Sequence, residues 1–542
     1  MPRRAGKLEG ALQLKFGLGV NSAASEDFVN DRESVAAQNL VLQRNNSNFI
    51  SRPPFSLIGT VPNGEEIRGM AFFHPPDQDP SMLVQAGGNV YKFNGEGINT
   101  VTLDTFELVG TCNSSARLRG HIYSHQWALE PDGVIITDLD LLEPVRVWDG
   151  SILKTPNFRN NDSTSFGSFY AKYCAVRDDR AYFAAVKDGT GTLAHVLVGS
   201  EIEDFETIST RIIGGADEPF FLVTPDLRHI NGMISAFNVL ILSTEKGAIW
   251  QLKGNDPTDY ALQSLYPGSA ANGDESLVYV GNDVVYGRQG RMEALSDTDR
   301  FGDVASDDLT REIAQDVMGV AEWTNVYNSR LQRIYCLADG GPSLWVYFKD
   351  AGPEEGSRWI KWQTNHSLSF QPTCIMNGFD PLDGLEYTFM GDGSGNLYRM
   401  EGEYNSGGDG GEIPIVANSK SRMFVAELDL HSGDFDGWLR ARTNGESTAK
   451  VTLEKVTEEG FLSNSVELTI ADPMTSNAYY GESDAYYKDT PPLYYAAIGN
   501  GPYTRYKLGW AGSGHDVQIV TEVTGDSKVE ITEIGIKYSA AK

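Results

Sequence analysis

A short aromatic strand closed by a Gly or Asn turn recurs along this chain, and no other feature restricts the fold as strongly. It reads Val90, Tyr91, Lys92, Phe93 before Asn94 and Gly95, then Val145, Arg146, Val147, Trp148 before Asp149 and Gly150. Further copies are Ile249, Trp250, Gln251, Leu252, then Leu344, Trp345, Val346, Tyr347, then Leu397, Tyr398, Arg399, Met400 before Glu401 and Gly402. Weaker relatives lie at His195 to Val198 and Val284 to Tyr286. The spacing is mostly roughly fifty residues, with one short interval before Val284, which suits a four-stranded propeller blade with loop insertions. One blade cannot cover both its faces, so several must stack about an axis. The competing arrangement is a string of unrelated hairpins in β-sandwiches.

The expected fold is therefore all-β: an irregular six- or seven-bladed β-propeller with an additional β-sandwich domain. The blades fit residues 68–404. The glycine-rich stretch from Asn405 to Gly411 reads as a linker, and residues 412–542 as the sandwich. There, period-2 alternation marks strands at Met423 to Leu430, Val451 to Val456, Val466 to Ile470, Val517 to Val523 and Val529 to Ile536. Residues 1–67 form an N-terminal extended or β segment that could pack with the C-terminal domain. Two helices are expected. One starts at Ser306 as N-cap and carries Leu309, Ile313 and Val317 as an apolar stripe; the other runs from Arg32 to Leu40.

Lys plus Arg total 44 against 74 Asp plus Glu, a net charge of −30. Such a surface repels phosphate and disfavours tight electrostatic binding of nucleic acid. It accounts for solubility alone, or for a wall along which a polyanion slides. Cys112, Cys174, Cys336 and Cys374 are widely spaced and form neither a zinc nor a disulfide framework, which predicts four buried thiols and a reducing cytoplasm. Arg3, Arg4 and Lys7 precede no apolar h-region, so a signal peptide is not expected, and no apolar run is long enough to insert in a membrane.

The chain contains no P-loop, no HExxH and no GxSxG elbow. His121 and His125 would share a helical face and grip a metal, but Ile122, Tyr123 and Trp127 favour a strand. Gly391, Gly393 and Gly395 read as a hairpin turn. Ser432 to Trp438 loosely resembles a sialidase Asp-box and reads better as a turn. Asp297, Asp299 and Asp303 read as a solvated loop without the EF-hand pattern. Catalytic, cofactor-binding and metal-ligating residues are accordingly none, and no enzyme activity is expected. Tyr479, Tyr480, Tyr486, Tyr487, Tyr494, Tyr495, Tyr503 and Tyr506 form an aromatic-rich segment, either packed on its own domain or serving as a contact surface.

Asn39 and Leu40, followed by Ser51, Arg52, Pro53, Pro54 and Phe55, begin a resemblance that covers most of the chain in order. It continues through Arg68 to Phe72, Phe237 to Leu242, Ile249 to Leu252, Arg333 to Tyr335, Trp345 to Tyr347 and Trp359 to Trp362. It ends at Tyr506 to Leu508 and Ile534 to Lys537. In these features the chain resembles the tail nozzle, or tail hub, proteins of short-tailed bacteriophages, also called packaged-DNA stabilisation proteins. Pro54 stands where that family usually has Gly. The resemblance implies a virion tail protein assembled in the host cytoplasm as a homohexameric ring below a portal and its adaptor protein. Such a ring retains and then conducts the genomic DNA through its lumen without specific binding, and anchors tail fibres or spikes. Six copies would carry 6 × −30, or −180. Two alternatives stay open: a propeller glycosidase or sialidase acting on surface polysaccharide, and a receptor- or carbohydrate-binding module.

Overall fold

The computed structural model describes residues between Leu8 and Ala540, leaving out 472–503 and shorter stretches, the longer of which are 24–32, 95–104, 124–132, 210–217, 297–304, 364–371 and 403–413. The expected linker from Asn405 to Gly411 and the tyrosines from Tyr479 to Tyr503 lie outside the described residues.

The chain is all-β, and among the described residues seven antiparallel groups follow one another along it. Blade one is Ile67–Phe73, Ser81–Ala86, Asn89–Phe93 and Phe106–Thr111; blade two is Leu118–Tyr123, Gly133–Asp138, Arg146–Trp148 and Leu153–Lys154. In blade three, Tyr170–Arg177, Arg180–Asp188 and Gly191–Glu201 are bordered by both Asp204–Ile208 and Phe220–Val223. Blade four is Ile230–Ala236, Val239–Thr244, Ala248–Lys253 and Ala261–Pro267; blade five is Val278–Val280, Asp283–Arg288, Arg291–Ser296 and Ala305–Asp308. Blade six is Trp323–Asn328, Arg333–Ala338, Ser343–Phe348 and Trp359–Gln363. Blade seven takes Pro372–Phe379, Glu386–Asp392 and Asn396–Arg399 from late in the chain, and its outer strand, Ser56–Thr60, from before blade one. The first strand of each blade lies against that of the next, and the seventh returns to the first. This is a closed seven-bladed propeller, sealed by an N-terminal strand.

The aromatic repeat is the third strand of a blade in six of the seven cases. In blade five the third strand, Arg291–Ser296, has no aromatic residue; Val284 to Tyr286 belongs to the second strand. That one-strand offset produces the short interval. Aromatic residues suit the third strand because both of its faces are covered by neighbouring blades: Tyr91, Trp148, Trp345 and Tyr398 are all buried.

Two sheets form the sandwich. One holds Ile415–Lys420, Gly514–Gly525, Glu446–Thr457 and Gly460–Ala471, with Phe424–Leu430 on Gly514–Gly525. The other holds Leu8–Leu14, Val529–Ala540, Phe435–Thr443 and Thr504–Trp510, with Phe49–Ile50 on Val529–Ala540. Ala449, Val451 and Leu453 alternate into the core opposite Leu439, Ala441 and Ile531, as period-2 strands require. Ile534 breaks the parity of Val529 and Ile531. The register shift between Arg440 and Ala441 absorbs the extra residue and returns its side chain to the core.

Neither expected helix forms as such. Ser306 is a strand residue paired with Leu295, and only the 3₁₀ turn Arg311–Ile313 and the single helical turn Ala314–Val317 follow. The stripe is nonetheless apolar and buried at Ile313 and Val317: burial was legible, helix length was not. Between Arg32 and Leu40 the chain forms the strand Ala36–Gln38, captured between Trp359–Gln363 and Ile415–Lys420. Backbone pairing with two existing edges overrides a weak local helical pattern there.

Candidate functional site

Two clusters of polar and aromatic side chains stand out, one on the propeller axis and one where propeller meets sandwich. The axial cluster lies where the inner strands begin. Residues 271–276, between blades four and five, are anchored on one side of the ring. Asn231 donates to the Ala271 carbonyl at 2.6 Å, the Trp323 N–H to the Asn272 carbonyl at 3.3 Å, and the Asn325 side chain to the Ser276 carbonyl at 2.6 Å. Gly273 is needed here: its φ is +100°, and an added Cβ would stand 2.7 Å from the Trp323 carbonyl oxygen.

From that anchorage two consecutive carboxylates reach blades two and three. Arg119 Nη1 is fixed at 2.8 Å by the carbonyls of both Arg68 and Leu118, which leaves Nε and Nη2 to grip Glu275 as a fork, with Nη2 at 2.5 Å. Asp274 accepts from Arg117 at 2.7 Å and from the Tyr173 hydroxyl at 2.9 Å, with the Lys172 ammonium at 3.6 Å. Arg117 also forks onto Asp140, at 2.9 Å twice. Burial and then Asp274 push the Tyr173 phenol well above its usual range, so it remains a donor. Burial, reinforced by Arg119, lowers His121 to about 4, so its imidazole is neutral at pH 7 and pairs with the Thr137 hydroxyl at 3.1 Å. The arrangement braces blades two and three against blades four, five and six across the axis.

At the junction, Trp362 is fully buried and central. Its indole donates to the Leu40 carbonyl at 2.7 Å, and its ring lies 5.8 Å from Tyr335 and 6.3 Å from both Phe55 and Phe348. The guanidiniums of Arg52 and Arg333 approach it at 6.0 and 5.8 Å, and Arg52 stacks on Phe55 at 4.0 Å. Buried Arg52 donates to the Asn39 side chain at 2.9 Å and to the carbonyls of Pro53 and Gln363 at 2.9 and 3.1 Å. Asn39, at φ +57°, ties this knot to the sandwich by donating to the Val416 carbonyl at 2.8 Å. Arg333 and Tyr335 both engage Glu401, just past blade seven. Asn39, Leu40, Arg52, Phe55, Arg333, Tyr335 and Trp362, far apart in sequence, therefore meet at one point.

The remaining sequence candidates are scattered. His121 is in a strand and His125 lies outside the described residues. Asp297, Asp299 and Asp303, with Ser432 to Asp434, also lie outside them. Phe435 to Trp438 form a strand instead of the expected turn, because both Thr504–Trp510 and Val529–Ala540 pair with them. Gly391 lies within the strand Glu386–Asp392, and Gly393 and Gly395 lie in the hairpin turn, which Asp392 organises by accepting from the Ser394 and Asn396 N–H groups. Cys174, Cys336 and Cys374 are buried; Cys112 is half-buried instead of fully enclosed, since it lies at the blade edge just past an outer strand. Among the described residues no group of three His, Cys, Asp or Glu side chains is placed to hold a metal, and no helix is long and apolar enough to cross a membrane. The axial residues Arg117, Arg119, Asp274 and Glu275 carried no motif in the sequence; charged residues at or just before the starts of inner strands were the available signal.

No family model matches the chain, and no curated protein matches it. Solved structures with some likeness include the computationally designed Ika8 protein, at 13% identity over 64% of this chain and 99% of that one, TM-score 0.34. Another is the extracellular domain of the putative one component system BT4673 from B. thetaiotaomicron, at 12% identity over 65% of this chain and 40% of that one, TM-score 0.37. The β-propeller domain of Myceliophteria thermophila Cps50 (Swd1) follows at 9% identity, over 65% of this chain and 100% of that one, TM-score 0.39. These likenesses are too distant to carry an argument; the propeller assignment rests on the strand pairing itself.

Proposed function

We propose that this chain is a non-catalytic structural subunit of a phage tail nozzle: a ring, six copies round, that continues the DNA channel below the portal and adaptor and anchors fibres or spikes. One observation carries the reading. Residues on which the family resemblance rests, Asn39, Leu40, Arg52, Phe55 and Trp362, form the buried knot that fixes propeller to sandwich. A signature with that structural task is what an architectural protein would retain. The net charge of −30 supports it further, since acidic walls let DNA pass without adhering. A strongly basic lumen in the assembled particle would end that part of the proposal.

The polysaccharide-cleaving alternative requires paired carboxylates of perturbed acidity in a central pocket. At the axis, Asp274 and Glu275 are instead engaged by cations of the same chain. Among the described residues the carboxylate pushed upward is Glu201, by burial and then by Asp204, at the far end of a blade-three strand. Reducing-sugar release from host polysaccharide is expected to stay at background; a turnover above it would favour the enzyme. The direct test of the ring is the mass of the purified protein, alone and with its adaptor. Six copies, or a monomer that rings on binding, is expected; a stable dimer counts against it.

A further inference from the structure

Blades two and three present to the axis a set of donors that is fixed independently of the carboxylates it holds. Arg119 is anchored through Nη1 by two backbone carbonyls, so Nε and Nη2 keep their aim without Glu275. Arg117 is braced in a similar way by its fork onto Asp140. The Tyr173 hydroxyl and the Lys172 ammonium complete the set. Three cations against the Asp140 carboxylate leave a formal +3 − 1, or +2, in a chain whose sum is −30. Asp274 and Glu275 neutralise it.

The loop that brings those two carboxylates fits its own seat less completely. Among the described residues, Asn231 Oδ1, Ser276 Oγ and Asn325 Oδ1 are buried without a hydrogen-bond partner where residues 271–276 meet blades four and six, while no donor of Arg117, Arg119 or Tyr173 is left so. Buried acceptors in that state cost the fold stability. The loop is thus matched better to the donors it crosses the axis to reach than to the strands that carry it. We infer that blades two and three form a binding site for an acidic peptide segment, which the chain fills with its own Asp274 and Glu275 as a tethered, autoinhibitory ligand. The class follows from the donors, since guanidinium forks fit planar carboxylates. Access lies on the Asp274 side, where the Arg117 and Lys172 side chains are 37% and 28% exposed; Arg119, at 7%, closes the Glu275 side. A partner's acidic segment therefore enters at Asp274 first and displaces the loop. The site lies within one chain and does not depend on the ring proposed above.

The test is calorimetric titration of the full-length chain carrying Asp274→Ala/Glu275→Ala with the blocked dipeptide acetyl-Asp-Glu-amide. The variant is expected to bind it with a dissociation constant of about 1 mM or tighter, at least about tenfold tighter than the wild type, whose site is already filled. The blocked Asn-Gln dipeptide should not bind. If the double variant folds poorly, Asp274→Ala alone carries the test, because it keeps the buried Arg119–Glu275 pair. Its melting temperature should be higher in acetate than in chloride at equal ionic strength, with no such difference in the wild type. Equal binding by wild type and variant, or no response from either variant, overturns the site. Inorganic phosphate bound more tightly than the dipeptide overturns the acidic peptide as its ligand.

Discussion

Trp362 holds its neighbours through a donor that phenylalanine lacks. In Trp362→Phe the Leu40 carbonyl, buried at the junction, loses its partner, and chemical denaturation is expected to register a loss of about 1–3 kcal/mol. Glu275→Gln leaves the buried Arg119 guanidinium without its counter-charge, with an expected loss of about 3 kcal/mol; a stability within error of wild type would mean that the axial brace contributes nothing. His121 supplies a pH signature. Its folded pKa of about 4 lies below the ordinary 6.5, so the unfolded chain binds the proton first. Its contribution is complete above pH 6.5 and declines as pH falls towards 4, by up to about 3 kcal/mol. His121→Gln should flatten stability across that window. These roles were illegible in the sequence, because Arg119 and Glu275 are 156 positions apart and meet only when the ring closes.

The strand Ser56–Thr60 closes the propeller at the scale of elements. It contributes the outer edge of blade seven through Leu57 against Tyr398 and Gly59 against Leu397, and buries Ile58. A chain shortened to begin at Val61 should therefore lose its single cooperative unfolding transition in calorimetry, since blade seven would be left with an open edge and the junction would lose Asn39, Leu40, Arg52 and Phe55. A sharp transition at the wild-type temperature would show that the closure is dispensable. Much of the blade pattern could be read beforehand, because a third strand covered on both faces demands aromatic and β-branched residues and thus leaves a visible mark. Blade five escaped that reading because its third strand packs Met292, Ala294 and Leu295 instead. The closing strand left no mark of its own: its partner lies more than three hundred residues away, and SLIGT has no turn signal binding it to blade one.

At the scale of the whole molecule, the propeller and sandwich are one continuous object. Ala36–Gln38 hydrogen-bonds blade six on one side and the sandwich on the other, and one apolar cluster joins blades five to seven to the sandwich. A shared sheet and core of this kind suit the nozzle subunit proposed above. Composition fixes the net charge of −30 but not which faces carry it, since net charge is a sum over all of them. Assembly into a ring is the decisive property, and low-resolution electron microscopy of the full-length protein, alone and with its adaptor, reads it out in one image. A six-fold ring with an open axial hole is the expected image; separate monomers, or two-fold dimers with no hole, would contradict it.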